Sequence, residues 1–186
     1  MLLHNLFTAV WIFLPAALSN TPPVIAAKTP ILKDLNYPMD FGKSIKGKRI
    51  LGKNKTIRGL VIGVLTSILV AYSQKHLYIN TQFIKQALLI PNYESINILL
   101  FGILSGLGGI LGDAAKSFIK RQKGIKPGTS WVPFDQVDYV IGGLVFIYPV
   151  VQISPLQVML IFVIFSFLHP LTTMLGHLLG LKESPI

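Results

Sequence analysis

The sequence predicts an all-α, polytopic integral membrane protein with about five transmembrane helices. Of its 186 residues, 52% are hydrophobic and only 13% are charged, which is about half the charged share of a typical soluble domain. The apolar residues fall into long runs separated by basic stretches. The absence of cysteine excludes disulfides, thiol catalysis and cysteine-ligated metals. We therefore expect one domain, residues 1–186, embedded in the cell membrane.

Five apolar segments are long enough, or nearly long enough, to cross a bilayer, which takes about 20 residues. They lie at about 2–27, 57–73, 95–112, 139–153 and 155–179. The first has no basic region ahead of its apolar stretch, so we interpret it as a span rather than a secretory signal peptide. The fourth is short and contains Pro149.

The positive charges predict the orientation of these spans. Nine Lys and Arg lie in residues 28–58, five lie in 113–138, and Lys182 lies in the tail, so 15 of the 17 share one side of the predicted membrane. The positive-inside rule makes that side cytoplasmic. The N-terminus is then outside, the C-terminus is cytoplasmic, and two basic cytoplasmic loops lie at about 28–58 and 113–138. Charges placed between apolar runs do not fit a nucleic-acid binder.

Three of the seven acidic residues, Asp113, Asp135 and Asp138, lie within 26 residues. Asp135 and Asp138 are three apart and share a helix face, and helix capping explains Asp138 alone equally well. Asp113 follows an apolar run, where the helix dipole disfavours a carboxylate. An acid near the membrane core is costly, which indicates a partner or a function. Since Mg²⁺ is held by one or two carboxylates plus substrate phosphate, the acids predict a metal-assisted phosphate site at the membrane surface.

Basic side chains beside these acids are suited to phosphate oxygens. They are Lys116, Lys120 and Arg121. Ser117 lies one helical turn after Asp113 and is expected on the same face.

The loop at 38–59 repeats Gly-Lys at Gly42, Gly47 and Gly52, a period that predicts neither helix nor strand. P-loop matches fail because Arg49 and Asn54 stand where Ser or Thr is required. Two interpretations stay open. Its glycine amides and cations can cradle a polyphosphate, or its cations can bind anionic lipid headgroups; these cations are Lys48, Arg49, Lys53, Lys55 and Arg58.

Residues 113–138 resemble the signature of the CTP-dependent phosphatidate cytidylyltransferases, with matches at Asp113, Ser117, Lys120, Arg121, Asp135 and Asp138. The turn lacks the His-Gly-Gly of the bacterial enzymes, and Gln136 replaces an Arg. In these departures the chain is similar to the archaeal branch, the CDP-archaeol synthases. Further matches to that family are Pro15, Ala16, Asn20, Pro22 or Pro23, Asp40-Phe41-Gly42, residues 47–52, residues 55–59 and residues 133–138.

The resemblance implies an enzyme that transfers CMP from CTP to 2,3-bis-O-(geranylgeranyl)-sn-glycerol 1-phosphate, with Mg²⁺ as cofactor and a cytoplasmic active site. It implies that the metal is bound by Asp113, Asp135 and Asp138, and that the catalytic set also includes Ser117, Lys120 and Arg121. It implies that the nucleotide is bound by Asn20, Asp40, Gly47, Arg49, Gly52, Lys55, Thr56, Arg58 and Lys116. The lipid tails are expected to stay in the bilayer, and a homodimer is compatible with these features.

A small cation transporter or channel with an Asp-lined path is the alternative. Such a path predicts acids near the midpoints of the spans. Here the acids lie at span ends, on one side and among lysines, which favours phosphate chemistry at the surface.

Overall fold

The computed structural model describes residues 1–90, 93–126, 129–178 and 180. Its helices are α1 (Leu2–Leu18), α2 (Thr21–Ala26), α3 (Ile57–Asn80), α4 (Gln82–Ala87), α5 (Ile98–Gln122), α6 (Phe134–Ile147) and α7 (Pro155–Leu178). Two 3₁₀ turns, Lys33–Leu35 and Tyr93–Ser95, and a two-stranded antiparallel hairpin, β1 (Ser44–Ile45) and β2 (Lys48–Arg49), complete the described elements. The predicted all-α class is confirmed.

In the part of the chain that the structure describes, four helical stretches are long and apolar enough to cross a membrane: Leu2–Ala26, Ile57–Asn80, Ile98–Gln122 and Pro155–Leu178. They correspond to the predicted first, second, third and fifth spans. The predicted fourth span is the 14-residue α6, which is about 21 Å long at 1.5 Å per residue. This helix begins five residues earlier than predicted and ends at Ile147, just before Pro149. The structure thus corrects the bounds of the fourth segment.

The segment 113–138, predicted to lie in a cytoplasmic loop, begins as helix, because α5 continues without interruption to Gln122. The residues after Gly112 include no Pro or Gly until Gly124. Gly124 adopts φ +77°, and Ile125 N–H donates to Lys120 O at 3.0 Å while Gly124 N–H donates to Arg121 O at 3.0 Å. This is the glycine-terminated helix end of a Schellman motif. Asp113 therefore lies inside a helix.

Small residues set the position of α5 between α3 and α6. A Cβ on Gly106 would lie 2.7 Å from Val64 Cα of α3, and one on Gly108 would lie 2.7 Å from Gly142 O of α6. Backbones this close require glycine, as is typical of helix pairs in lipid. These two close contacts fix α5 against both neighbours, within about two turns of Asp113.

A polar side chain from α3 supplies a hydrogen bond that the backbone of α1 lacks. Pro15 lies inside α1, and proline has no N–H to donate to the carbonyl of Trp11. Gln74 Nε2 donates to that carbonyl at 2.7 Å instead. A neighbouring helix thus satisfies a backbone group that lipid would leave unpaired.

Aromatic packing holds α6 and α7 against α1. The ring of Phe13 is buried and lies 4.7 Å from the ring of Phe165 and 6.1 Å from that of Tyr139, between centroids. The Tyr139 hydroxyl donates to Phe165 O at 2.6 Å. These contacts fix the first turns of α6, which carry Asp135 and Asp138.

Candidate active site

Three aspartates converge on one ammonium group where α5 meets the start of α6. Lys116 Nζ lies 3.1 Å from Asp113 Oδ1, 2.9 Å from Asp135 Oδ1 and 2.6 Å from Asp138 Oδ2. Asp113 and Lys116 are three apart on α5, so they share a face. Asp135 and Asp138 have the same spacing on α6. The structure thus brings together all three acids that the sequence singles out.

Two further lysines join this group. Lys55, from the loop before α3, forms an ion pair with Asp113. Lys120 Nζ lies 3.1 Å and 3.2 Å from the two carboxylate oxygens of Asp135, and it donates to Thr129 O at 2.6 Å. We call Asp113, Asp135, Asp138, Lys55, Lys116 and Lys120 the carboxylate–lysine cluster. Its three negative and three positive charges cancel.

The cluster is largely removed from solvent. The exposed fraction of the side chain is 5% for Asp138, 14% for Lys116, 15% for Asp135 and 23% for Asp113. Charges in such surroundings interact more strongly than in bulk water. Backbone N–H groups of Trp131 and Tyr139 also donate to Asp135 and Asp138, which fixes the directions of these two carboxylates.

Asp40 organises the loop that leads to α3. Its carboxylate accepts hydrogen bonds from Arg49 Nε at 3.2 Å and Nη2 at 3.1 Å, and from the backbone N–H of Gly42, Leu51 and Gly52 at 3.0–3.1 Å. Burial by itself raises the pKa of this carboxyl, but the guanidinium and the three N–H donors outweigh it and hold the pKa well below its usual range. The Asp40 carboxylate therefore stabilises the conformation of this loop.

The β-hairpin is attached to the end of α5. Lys48 Nζ donates to Gln122 O at 2.5 Å, and Gln122 Nε2 donates to Arg49 O at 3.4 Å. Gly47 and Gly52 adopt φ +75° and +120° in the turn and after the hairpin, a region that favours glycine. These two predicted nucleotide-binding glycines thus have a structural reason for being glycine.

Thr56, Arg58 and Asn20 support the backbone around the start of α3. Thr56 caps α3 by accepting from Gly59 N–H at 3.0 Å. Arg58 is buried and donates to Ala26 O and, at 2.7 Å, to Thr29 O. Asn20 Nδ2 donates to Gly109 O at 3.2 Å. The structure does not bring these three side chains into the carboxylate–lysine cluster.

Ser117 and Arg121 lie on α5 beside the cluster. Ser117 is buried. Arg121 has a buried Nε with no hydrogen-bond partner among the described residues. In the part of the chain described, neither side chain contacts the carboxylates of the cluster through an ion pair or hydrogen bond, so both lie outside it.

The donor set fits a hard divalent cation. The three carboxylates already surround one cation, the ammonium of Lys116, and carboxylate oxygens are the ligands that Mg²⁺ takes. Among the residues described, no three His, Asp or Glu side chains have the spacing of a ready-made metal set. The three carboxylates are chemically suited to Mg²⁺, but the position between them is occupied by the ammonium of Lys116.

Sequence reasoning missed the main-chain members of the site. Thr129 O and the N–H groups of Trp131 and Tyr139 hold the side chains of Lys120, Asp135 and Asp138. Backbone groups carry no residue-type signal. The Pro/Gly-rich turn before α6 was the available hint that the backbone approaches the acids there.

Comparison with known proteins gives consistent matches over nearly the whole chain. The family model described as "CarS-like: CDP-archaeol synthase" matches residues 2–186. The chain is 32% identical to the CDP-archaeol synthase of Pyrococcus furiosus, covering 98% of this chain and 99% of that protein. It is 36% identical to the Methanospirillum hungatei enzyme of the same name, covering 80% and 89%.

A solved structure described as "an intramembrane enzyme for archaeal membrane lipids biosynthesis" shares the fold, with a TM-score of 0.62, 24% identity and coverage of 91% of this chain and 94% of that one. The predictions of a multi-pass membrane protein and of a CTP-dependent cytidylyltransferase are confirmed. The chain belongs to the CDP-archaeol synthase family.

Proposed function

We propose that this protein transfers CMP from CTP to 2,3-bis-O-(geranylgeranyl)-sn-glycerol 1-phosphate in a Mg²⁺-dependent reaction, forming unsaturated CDP-archaeol and pyrophosphate. The observation that carries the proposal is the convergence of Asp113, Asp135 and Asp138 on one cation between α5 and α6. The names of the relatives, which are CDP-archaeol synthases, support the same reaction.

The reaction needs no general base from the protein. A phosphate monoester has its second pKa near 6, so it is mostly a dianion at neutral pH. One of its oxygens attacks the α-phosphorus of CTP, a new P–O bond forms, and the bond between the α-phosphorus and the bridging oxygen to the β-phosphate breaks. Pyrophosphate leaves with that electron pair. The main obstacle is repulsion between anions, so catalysis requires fixed positive charge.

The chain supplies that charge from two directions. Lys116 and Lys120 reach the cluster from α5, and Lys55 reaches it from the loop before α3. Their ammonium groups are suited to bind and orient the phosphate oxygens of CTP and the lipid. Asp113, Asp135 and Asp138 would hold Mg²⁺, which supplies charge neutralisation and Lewis acidity when bound. The buried position of the cluster limits competing water.

We place the cluster on the cytoplasmic side. Lys48 contacts the end of α5 at Gln122 O, Lys55 contacts Asp113, and Lys28 contacts Gly180 O. The first basic loop, the end of α5 and Gly180 just after α7 therefore lie at the same end of the bundle. The positive-inside rule assigns that end to the cytoplasm, where CTP is made. The lipid tails then remain among the apolar spans.

The test is pyrophosphate release by the purified protein in detergent, with the ether-lipid phosphate as acceptor and CTP, ATP and GTP assayed in parallel. We expect release with CTP that depends on the lipid, stops with EDTA and returns with Mg²⁺. Release without lipid, or full activity in the chelator, would contradict the proposal. Formation of the CDP-lipid, followed by mass spectrometry, identifies the product.

The transporter alternative has less support. The three acids are paired with lysines at one end of the bundle rather than placed along a path through it. Membership of a synthase family also favours the enzyme.

A further inference from the structure

We propose that Lys116 is an exchangeable internal cation. Its ammonium holds the carboxylates together until metal and nucleotide arrive, and the triphosphate then takes that ammonium over. Metal and CTP would therefore bind with strong positive coupling, each poorly without the other. This inference rests on the proposed function, because it concerns the same site and the same metal.

The first observation is the position of the Lys116 ammonium. It lies within 3.1 Å of one oxygen from each of Asp113, Asp135 and Asp138. An ammonium has three N–H donors, so one lysine matches three acids. The contact with Asp138 Oδ2, at 2.6 Å, is an ion pair between two poorly exposed groups. A second cation at this position would compete with the ammonium for the same oxygen.

The second observation is competition for the same oxygens. A magnesium ion takes oxygens at about 2.0–2.1 Å in octahedral geometry. The oxygens that Lys116 contacts at 2.6–3.1 Å are the ones available for this. Among the described residues, no three His, Cys, Asp or Glu side chains form a group that could hold a metal as they stand. Lys116 must leave before the carboxylates can close on a metal.

The third observation is the charge balance. Three carboxylates and the ammonium groups of Lys55, Lys116 and Lys120 cancel. A divalent cation alone would add two positive charges to a group that is already neutral and poorly exposed, which is unfavourable. A triphosphate brings about four negative charges, so it offsets the metal and provides new partners for the displaced ammonium. The charges thus favour joint binding.

The three lysines are not equivalent. Lys120 also donates to Thr129 O at 2.6 Å, which fixes it to the backbone. Lys55 forms an ion pair only with Asp113 among the residues that the structure describes. Only Lys116, among the described residues, contacts all three acids. It is therefore the one whose removal should free the metal site.

The experiment measures Mn²⁺ binding to the purified protein in detergent by electron paramagnetic resonance of the free ion, with no lipid acceptor present. The variants are Lys116→Gln, Lys116→Arg, Lys120→Gln and the remote control Lys33→Gln. Without CTP, we expect Lys116→Gln to bind Mn²⁺ at least about tenfold more tightly than the wild type, a typical size for coupled sites. Lys116→Arg keeps the charge and should bind as weakly as the wild type. Lys120→Gln should change less than Lys116→Gln, and Lys33→Gln should not change.

The inference is overturned if Lys116→Gln binds Mn²⁺ no more tightly than the wild type in the absence of CTP. A lysine that only binds phosphate would give that result, because its loss would weaken CTP binding alone. If Lys116→Gln fails to fold, judged by thermal unfolding, Lys116→Met repeats the measurement with a side chain of similar length.

The same titrations separate this inference from the proposed function. If wild type binds Mn²⁺ with CTP and Asp135→Asn does not, the metal site stands even when the lysine variants show no change. If wild type binds no Mn²⁺ with or without CTP, the proposed metal role and the present inference both fail.

Discussion

Asp40 and the three aspartates of the carboxylate–lysine cluster are all paired with cations, but the partners differ in kind. Asp40 accepts from a bidentate Arg49 and three backbone N–H groups. The cluster acids rely mainly on lysine ammonium groups. A planar guanidinium and backbone donors hold a fixed geometry, whereas an ammonium on a flexible stem is a movable point charge. The first arrangement is suited to structure and the second to exchange with metal and phosphate.

Asp135→Asn should have the largest effect. The amide keeps the size of the side chain but removes the charge that Lys116 and Lys120 share. We expect CTP turnover to fall by at least about 100-fold, as for the loss of one preorganised charge-stabilising group, together with a lower unfolding temperature because two poorly exposed ammonium groups lose a shared partner. Pyrophosphate release measures the activity.

The matched control for this variant is Asp34→Asn, an exposed acid in a 3₁₀ turn, which should retain activity. Full activity in Asp135→Asn would remove this residue from the site and weaken the distinction between movable and fixed charges.

Asp40→Asn should lower stability more than chemistry. An amide cannot accept from Arg49 and three N–H groups together, and it leaves the guanidinium unpaired. We expect a loss of about 3 kcal/mol, at the low end for broken buried pairs because Arg49 is 28% exposed. Thermal unfolding in detergent measures this, and cleavage in the 40–52 loop by a protease should increase.

The acid dependence of stability gives a second measurement. Because the fold lowers the pKa of Asp40, its contribution is present above the unfolded value of about 3.9 and is lost as the pH falls further. The wild type should lose this contribution below about pH 4, and Asp40→Asn should not. A variant with normal stability but weak CTP binding would instead place Asp40 among the nucleotide ligands.

The comparison also shows which parts of the site the sequence can predict. Helix periodicity and Pro133 predict that Asp135 and Asp138 open a helix on one face, and the structure agrees. The central place of Lys116 depends on α5 continuing past Asp113. Hydropathy falls where charged residues begin, so it gave the end of the apolar run rather than the end of the helix.

The roles of Asp40 and Arg58 could not be separated from ligand binding by sequence alone. Their partners are backbone atoms, such as Leu51 N–H for Asp40 and Thr29 O for Arg58. A family motif contains residues that shape a site as well as residues that contact substrate. Only the three-dimensional arrangement shows which of them reach the cluster.

Gly142→Ala should move the cluster residues of α6 away from those of α5. A Cβ there would lie 2.7 Å from Gly112 Cα and 2.9 Å from Gly112 N, so α6 must move away from α5. We expect a loss of about 2 kcal/mol in stability, as for an overpacked core, together with reduced turnover. Thermal unfolding and pyrophosphate release measure the two effects.

The control for Gly142→Ala is Ile141→Ala at a half-exposed neighbouring position, which should change both quantities less. Unchanged turnover in Gly142→Ala would show that the cluster tolerates a shift between its helices, as movable charges would allow.

Thr56→Ala should have the smallest effect. It tests the point where the rigid loop organised by Asp40 meets the movable ammonium of Lys55. Thr56 caps α3 through Gly59 N–H, and its neighbour Lys55 pairs with Asp113. Loss of the cap should cost about 1 kcal/mol and fray the turn that positions Lys55, so the KM for CTP should rise while kcat changes little. Thr56→Ser keeps the hydroxyl and should restore both. If the alanine variant loses stability with no change in KM, the position of Lys55 does not depend on the cap, because a flexible side chain can still reach Asp113 from a loosened turn.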